Sequence, residues 1–299
     1  MADWLLPAIF AVFVWWFSTG VVILLDGLPH RTFRWSLVIS SLLAIGALIG
    51  LAHTATQTSV AGAYCAFICA LLLWGWHELS FLTGWITGPR KWGHTEGCSR
   101  WRQATQAVQV VLWHELWLLL SLSLLAALTW NQANSVGLWI FGGLWCMRAS
   151  AKLNLFLGVR NLGLEFLPSH LNYLQTYFRK APMNLLMPWS ISLSTAVVVW
   201  LVMGAMAAES GSAQAVGKIL VATMLAMGIL EHWMLVLPVS PSSLWKWALR
   251  DHPKAPRTAV VNTPAEALTG AAVPQSPMGP NGPHLRIQSD EKLLHARSA

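Results

Sequence analysis

The amino-acid sequence predicts an all-α membrane protein, a polytopic bundle of seven transmembrane helices whose N-terminus lies outside the cytoplasm and whose C-terminus lies inside it. Three observations predict this fold. Of the 299 residues, 55% are apolar and only 10% are charged, whereas soluble domains normally carry ~25% charged residues. The apolar residues are grouped in seven long runs, and the basic residues are concentrated in alternate connecting loops.

Each of the seven apolar runs is long enough, at about 20 residues, to cross a hydrocarbon core about 30 Å thick. The third run is over-long and the fifth carries charges, so the ends of these two are the least defined. No β-barrel alternation and no internal repeat is present, which favours helices. The runs lie near 4–25, 35–53, 60–88, 105–129, 135–158, 185–208 and 215–238.

The charges of the loops predict the orientation. Lys and Arg occur in the loops 26–34, 89–104 and 159–184, whereas the loops 54–59, 130–134 and 209–214 contain none. Basic loops remain in the cytoplasm, so the first helix begins outside and the last one ends inside. The net charge of +7 lies in these loops and in the tail. No basic face is present for a phosphate backbone to follow, so no nucleic-acid partner is expected.

Two segments outside the apolar runs have their own character. Residues 164–180 are polar-interrupted and too short to span, and they predict an interfacial helix along the cytoplasmic surface. The last 47 residues contain seven prolines and few large apolar side chains. Such a composition predicts disorder. The sequence is therefore divided into a transmembrane domain, 1–252, and a disordered cytoplasmic tail, 253–299.

Three His–Glu pairs interrupt the apolar runs. They occur in Trp76-His77-Glu78, in Trp113-His114-Glu115 and, in reverse order, in Glu231-His232-Trp233. At 1.5 Å per residue, the three histidines lie roughly 16, 14 and 9 Å from the cytoplasmic ends of their helices. All three pairs are therefore expected in one layer of the cytoplasmic half, facing the interior of the bundle, because a lone carboxylate in lipid costs several kcal/mol.

One interpretation of this layer is a metal site. Mixed imidazole and carboxylate ligands suit Fe, Mn or Zn, and inward-facing Glu and His build the di-metal sites of helical bundles. The spacing differs from the Glu-x-x-His of that class, so the identity of the metal stays open. The candidate metal ligands are His77, Glu78, His114, Glu115, Glu231 and His232.

Other interpretations use the same residues. The fifth run carries Arg148 and Lys152, followed by Asn154. These could pair with the glutamates in a buried network that holds the helices together, with the histidines as hydrogen-bond partners. A proton pathway is a third possibility, and a histidine beside a tryptophan could be an axial ligand of a Mg-tetrapyrrole. Glu165 and His170, on the interfacial segment, are second-rank candidates that could reach the layer from below.

Three stretches resemble a known family. They are FSTGVVILLDGLPHRTFRWS at 17–36, WHELSFLTGWITGPR at 76–90 and RASAKLNLFLGVRNLGLEFLPSHLNYL at 148–174. They resemble the photosynthetic complex assembly proteins called PuhE, which are encoded beside the reaction-centre H subunit in purple bacteria. The likeness covers roughly residues 10–250 and leaves out the tail.

The resemblance implies a seven-helix, multi-pass protein of the bacterial inner, photosynthetic intracytoplasmic membrane, in which the loop charges place the N-terminus in the periplasm. It implies a role in the accumulation of reaction-centre and light-harvesting complexes and in bacteriochlorophyll supply, with the subunits or pigments of those complexes as partners. It carries over no catalytic residues. The cofactor would be a transition metal or bacteriochlorophyll. The alternative function is a membrane metal-dependent oxidoreductase that acts on a tetrapyrrole, quinone, isoprenoid or lipid.

Overall fold

The computed structural model describes residues 2–238 and 241–249, and within them every long element is an α-helix. Six of the seven long helices are long and apolar enough to cross a membrane. The all-α, multi-pass prediction is confirmed for this part of the chain. The exception is α5, which carries Arg148 and Lys152; its place as a seventh span, and the orientation, stay predictions. The helices are α1 Ala2–Asp26, α2 His30–Thr54, α3 Val60–Leu82, α4 Arg100–Thr129, α5 Val136–Leu157, α6 Leu186–Met206 and α7 Ala213–Val236.

Serines start three of the helices. Ser59 precedes α3, Ser99 precedes α4 and Ser212 precedes α7, and each side-chain oxygen accepts a hydrogen bond from the backbone N–H three residues later. A serine hydroxyl at this position satisfies one of the unpaired N–H groups of the first turn. The beginnings of these helices therefore follow from local sequence.

The end of α3 differs from the sequence-based expectation. The apolar run continues to residue 88, but the helix ends at Leu82 because Gly84 adopts a left-handed conformation with φ of +76°. The Trp85 N–H then donates to the Ser80 carbonyl at 3.0 Å, which is the kind of hydrogen bond that closes a helix with a C-terminal glycine. The residues after Gly84 form a turn that contacts α4 through Thr87 and Gly88.

Helices α3, α5 and α7 contact one another at the centre of the bundle. Helix α1 packs on α3 and α7, α2 packs on α3, α4 packs on α5, and α6 packs on α7. Fully buried side chains fill the contacts, including Phe67, Leu118, Phe141 and Leu220. Gly228 brings α7 close to α5, because an added Cβ there would lie 2.9 Å from the Met147 side chain. Small residues allow such close approach between membrane helices.

Two segments close the end of the bundle at which α5 and α7 finish. The expected interfacial helix at 164–180 is instead two 3₁₀ helices, Leu164–Phe166 and Ser169–Tyr177. Asn184 caps α5 by donating to the carbonyls of Asn154 and Gly158. A third 3₁₀ helix, Pro241–Trp245, packs on α1, where the indole of Trp245 donates to the Trp16 carbonyl. The predicted tail, 253–299, lies outside the described residues.

Candidate functional site

The three glutamates of the His–Glu pairs have separate partners. Glu78 on α3 accepts a hydrogen bond from Arg148 on α5, with 3.0 Å between Oε2 and Nη2. Glu231 on α7 accepts one from the buried indole of Trp15 on α1 at 3.0 Å. Arg148 also interacts electrostatically with Glu231. Glu78, Arg148, Glu231 and Trp15 therefore join four helices, and we call this set the central cluster.

Glu115 on α4 belongs to a second group, which contacts the same face of α5 at residues within one turn of Arg148. Its Oε1 lies 2.5 Å from Nζ of Lys152, and its Oε2 accepts a hydrogen bond from the indole of Trp145 at 3.3 Å. Lys152 Nζ also lies 5.7 Å from the centre of the Phe81 ring, a cation–π contact. The α4–α5 contact therefore contains a lysine–carboxylate pair with an aromatic lining.

Glu115→Gln should lower the stability of the protein, because Lys152 would keep its charge without a carboxylate beside it. Removing one partner of a buried pair costs about 3–5 kcal/mol. These two side chains are about one quarter exposed, so a loss of about 1–2 kcal/mol is expected after allowance for solvent screening. Thermal unfolding of the purified protein measures the effect. Glu209→Gln, an exposed loop carboxylate, is the matched control, and an equal Tm for both variants would contradict the pairing.

The histidines are buried beside serines. Nε2 of His77 lies 2.9 Å from the Ser121 hydroxyl on α4. Nε2 of His232 lies 2.9 Å from the Ser150 hydroxyl on α5, and its Nδ1 donates to the Gly228 carbonyl at 2.8 Å. The Asn154 amide donates to the Ser150 carbonyl. Both rings therefore link neighbouring helices by hydrogen bonds.

His114 differs from the other two histidines. Its ring is 1% exposed and packs on Phe81 and His77, with ring centres 4.7 and 6.4 Å away. Neither ring nitrogen has a hydrogen-bond partner among the described residues. Its backbone N–H donates at 2.9 Å to the carbonyl of Thr87, which lies in the turn after α3. The turn thus contacts α4 directly at the histidine.

A shared metal shell would need several of these donors to converge. Within residues 2–238 and 241–249, no three side chains of His, Cys, Asp or Glu are close enough to hold one metal ion. The carboxylates instead face Arg148, Lys152 and Trp15. This arrangement fits the ion-pair network better than a common metal centre, and the metal site stays a prediction.

A cavity of about 360 Å³ adjoins the central cluster. Its walls come from the C-terminal halves of α1, α3 and α7, from α5, and from the segments around Phe166 and Trp245. Most of the wall is apolar. Glu78, Arg148 and Glu231 supply its charged groups. The arrangement offers an apolar space with a few polar groups at one place, which is typical of a small-molecule site.

The two second-rank residues do not join the central cluster. Glu165 is exposed. His170 donates from Nε2 to the Leu82 carbonyl at 2.7 Å and packs its ring on His30. Burial lowers the pKa of His170 below its usual range; the hydrogen bond to Leu82 raises that pKa and the nearby His30 lowers it. His170 therefore attaches the 3₁₀ segment to the end of α3.

Sequence reasoning missed four partners in these contacts, namely Trp15, Ser121, Trp145 and Ser150. Ser150 had a signal, because it lies between Arg148 and Lys152 on α5 and four residues before Asn154, which is one helical turn. The sequence indicated Trp15 more weakly, since a tryptophan in the middle of an apolar helix needs a hydrogen-bond acceptor when it is buried.

Comparison with known proteins defines the family. Residues 1–256 match the family described as "Protein of unknown function (DUF3623)". The chain belongs to the DUF3623 family. A relative from Rhodobacter capsulatus, described as "Uncharacterized 30.4 kDa protein in puhA 5'region", is 38% identical over 279 residues, which cover 92% of this chain and 98% of the relative. No solved structure matches the chain.

Proposed function

We propose that this DUF3623 protein is an integral membrane factor for the assembly or accumulation of photosynthetic reaction-centre and light-harvesting complexes. The observation that carries the proposal is the relative from the puhA 5' region, which is similar over nearly its whole length. That position agrees with the resemblance to proteins encoded beside the reaction-centre H subunit. Six apolar helices support a place in a lipid bilayer, which we propose is the bacterial inner, intracytoplasmic membrane.

The buried polar groups support a binding or scaffolding role more than metal-dependent catalysis. A di-metal oxidoreductase would use carboxylates that bridge or flank two ions. Here two carboxylates are paired with Arg148 and Lys152, and the third accepts a hydrogen bond from Trp15. These partners hold α1, α3, α4, α5 and α7 together, as polar groups do between membrane helices.

The histidines also argue against axial ligation of bacteriochlorophyll within the bundle. His77 and His232 are engaged with Ser121 and Ser150. His114 has free ring nitrogens, but it is 1% exposed and enclosed by Phe81 and His77. A flat macrocycle has no access to these nitrogens in this arrangement. A pigment partner would therefore contact the cavity or the outer helix faces.

Deletion of the gene in its natural photosynthetic host tests the proposal. The absorption bands of the reaction-centre and light-harvesting complexes should fall per unit of membrane protein, and a plasmid copy of the gene should restore them. Quantitative transcript measurement of the complex subunits is the control for an effect on expression. Normal complex levels in the deletion strain under photosynthetic growth would contradict the proposed role.

The orientation that accompanies this proposal can be measured by reporter fusions. Thr56 lies in a loop without Lys or Arg, between α2 and α3, whereas Arg100 begins α4 after a basic loop. Because basic loops remain in the cytoplasm, a periplasm-active reporter should give a signal at Thr56 and none at Arg100. Signals on the same side for both fusions would disprove the alternating arrangement.

A further inference from the structure

The cavity beside the central cluster reaches into the bundle rather than lying on its outer surface. Leu71 and Trp74 of α3, Ile140 and Leu144 of α5, and Met224 of α7 form much of its apolar wall. Trp245 closes one side, held by the hydrogen bond from its indole to the Trp16 carbonyl on α1. A space of about 360 Å³ is within the range of about 300–1,000 Å³ in which small-molecule sites fall.

Arg148 faces this cavity. Its side chain is 41% exposed, whereas that of its partner Glu78 is 12% exposed, although both lie between the central helices. The exposure of Arg148 is explained by the cavity that it lines. A guanidinium has five N–H donors, and among the described residues one of them is engaged, in the hydrogen bond to Glu78. Ser18 and Thr19 of α1 also line the cavity.

The charge of the central cluster selects against an anionic ligand. Glu78 already pairs with Arg148, and Glu231 is a further carboxylate within electrostatic range of both. An added carboxylate or phosphate would therefore meet two acidic groups and one arginine that is already paired. Burial of a charge without a partner is expensive. An uncharged oxygen has no such cost and can accept a hydrogen bond from the guanidinium.

We propose that this cavity binds one uncharged amphiphile, an apolar chain or ring system that carries a hydroxyl or carbonyl oxygen as acceptor for Arg148. The apolar walls take the hydrocarbon part, and the central cluster binds the oxygen. The inference goes beyond the assembly role and does not depend on it, since it rests on the cavity and its charges alone.

Binding of matched twelve-carbon probes tests the ligand class. The full chain in lipid nanodiscs is titrated with tritiated dodecanol, laurate or dodecane, and binding to empty nanodiscs is subtracted. Dodecanol should bind saturably at one site per chain. Laurate and dodecane should bind at least about tenfold more weakly, the ratio that corresponds to the loss of one hydrogen bond to a charged group. Laurate binding as tight as that of dodecanol, or no saturable binding of dodecanol, would overturn the proposal.

Two glycine variants test the location. Gly75 lines the cavity, and Gly46 lies on the exposed face of α2; a Cβ added at either position meets nothing within 4 Å. Gly75→Phe should reduce dodecanol binding at least about tenfold by filling the cavity, whereas Gly46→Phe should bind as the unmodified protein does. If Gly75→Phe fails to fold, Ala151→Leu fills the same cavity from α5. Undiminished binding in the folded cavity variant would place the site elsewhere and refute the inference.

Discussion

Arg148→Met is expected to give the largest loss of stability of any single charge removal in this protein. The methionine keeps much of the apolar volume but leaves Glu78 without its partner at 3.0 Å, and it removes the positive charge that faces Glu231. Removal of one partner from a buried ion pair costs about 3–5 kcal/mol. Because Arg148 itself is 41% exposed to the cavity while Glu78 is 12% exposed, a loss in the lower part of that range, about 3–4 kcal/mol, is expected after allowance for screening. Size-exclusion chromatography first checks that the purified variant is folded. Thermal unfolding of that material should then show a clear drop in Tm.

The double variant Arg148→Met with Glu78→Gln distinguishes a lost pair from a general packing defect. The glutamine keeps the volume of Glu78 and removes its charge, so part of the lost stability should return, since the penalty comes from the carboxylate left without its partner. Arg34→Met, on an arginine that stacks on Trp35 at the bundle surface, is the matched control and should change Tm little. A double variant less stable than Arg148→Met would contradict the pairing.

Gly88→Ala is expected to cause the second largest loss. Gly88 is buried in the turn after α3, and an added Cβ would lie 2.0 Å from the backbone oxygen of Gln109 on α4. No side-chain rotation can relieve a clash with backbone, so the turn must move away from α4. That movement would break the hydrogen bond from His114 to Thr87. Overpacking of this kind lowers the free energy of unfolding by about 1–3 kcal/mol. Because the clash here is with backbone, we expect a loss at the upper end of that range.

Thermal unfolding of the purified Gly88→Ala protein measures this loss, and thermal unfolding of Gly46→Ala provides the control. Gly46 lies inside α2 with open space around an added Cβ, so alanine should be neutral or slightly stabilising, because it favours the helix more than glycine does. Equal Tm values for Gly88→Ala and Gly46→Ala would contradict the close contact between this turn and α4.

The helices could be predicted from the sequence because length and apolar character suffice to define a membrane span. The start of α3 was predicted correctly, but α4 and α7 begin at Arg100 and Ala213, before the apolar runs at 105 and 215, because Ser99 and Ser212 cap polar first turns that hydropathy leaves out. The end of α3 was predicted too late, since the residues after Gly84 are as apolar as a span. Hydropathy does not detect the left-handed Gly84 that ends the helix and directs Thr87 and Gly88 against α4.

The partners of the three glutamates could not be predicted in the same way. A membrane helix is apolar on all sides, so its sequence carries little information about which face points to which neighbour. Glu231 and its partner Trp15 are 216 residues apart, and no local pattern connects them. Adjacent His and Glu residues on one helix point about 100° apart. The His and the Glu of each pair therefore contact different neighbouring helices or residues. The sequence predicted only that the three pairs lie at a similar depth, and depth does not determine these partners.

The metal content of the purified protein tests most directly whether the His–Glu pairs are helix-joining contacts or one metal centre. The full chain should be isolated from membranes without chelators and analysed for Fe, Mn and Zn by mass spectrometry of the elements. The ion pairs of Glu78 with Arg148 and of Glu115 with Lys152 predict far less than one ion per chain. A di-metal site in a helical bundle would instead give about two tightly bound ions per chain. That content, together with its loss in both Glu78→Gln and Glu115→Gln, would contradict this account.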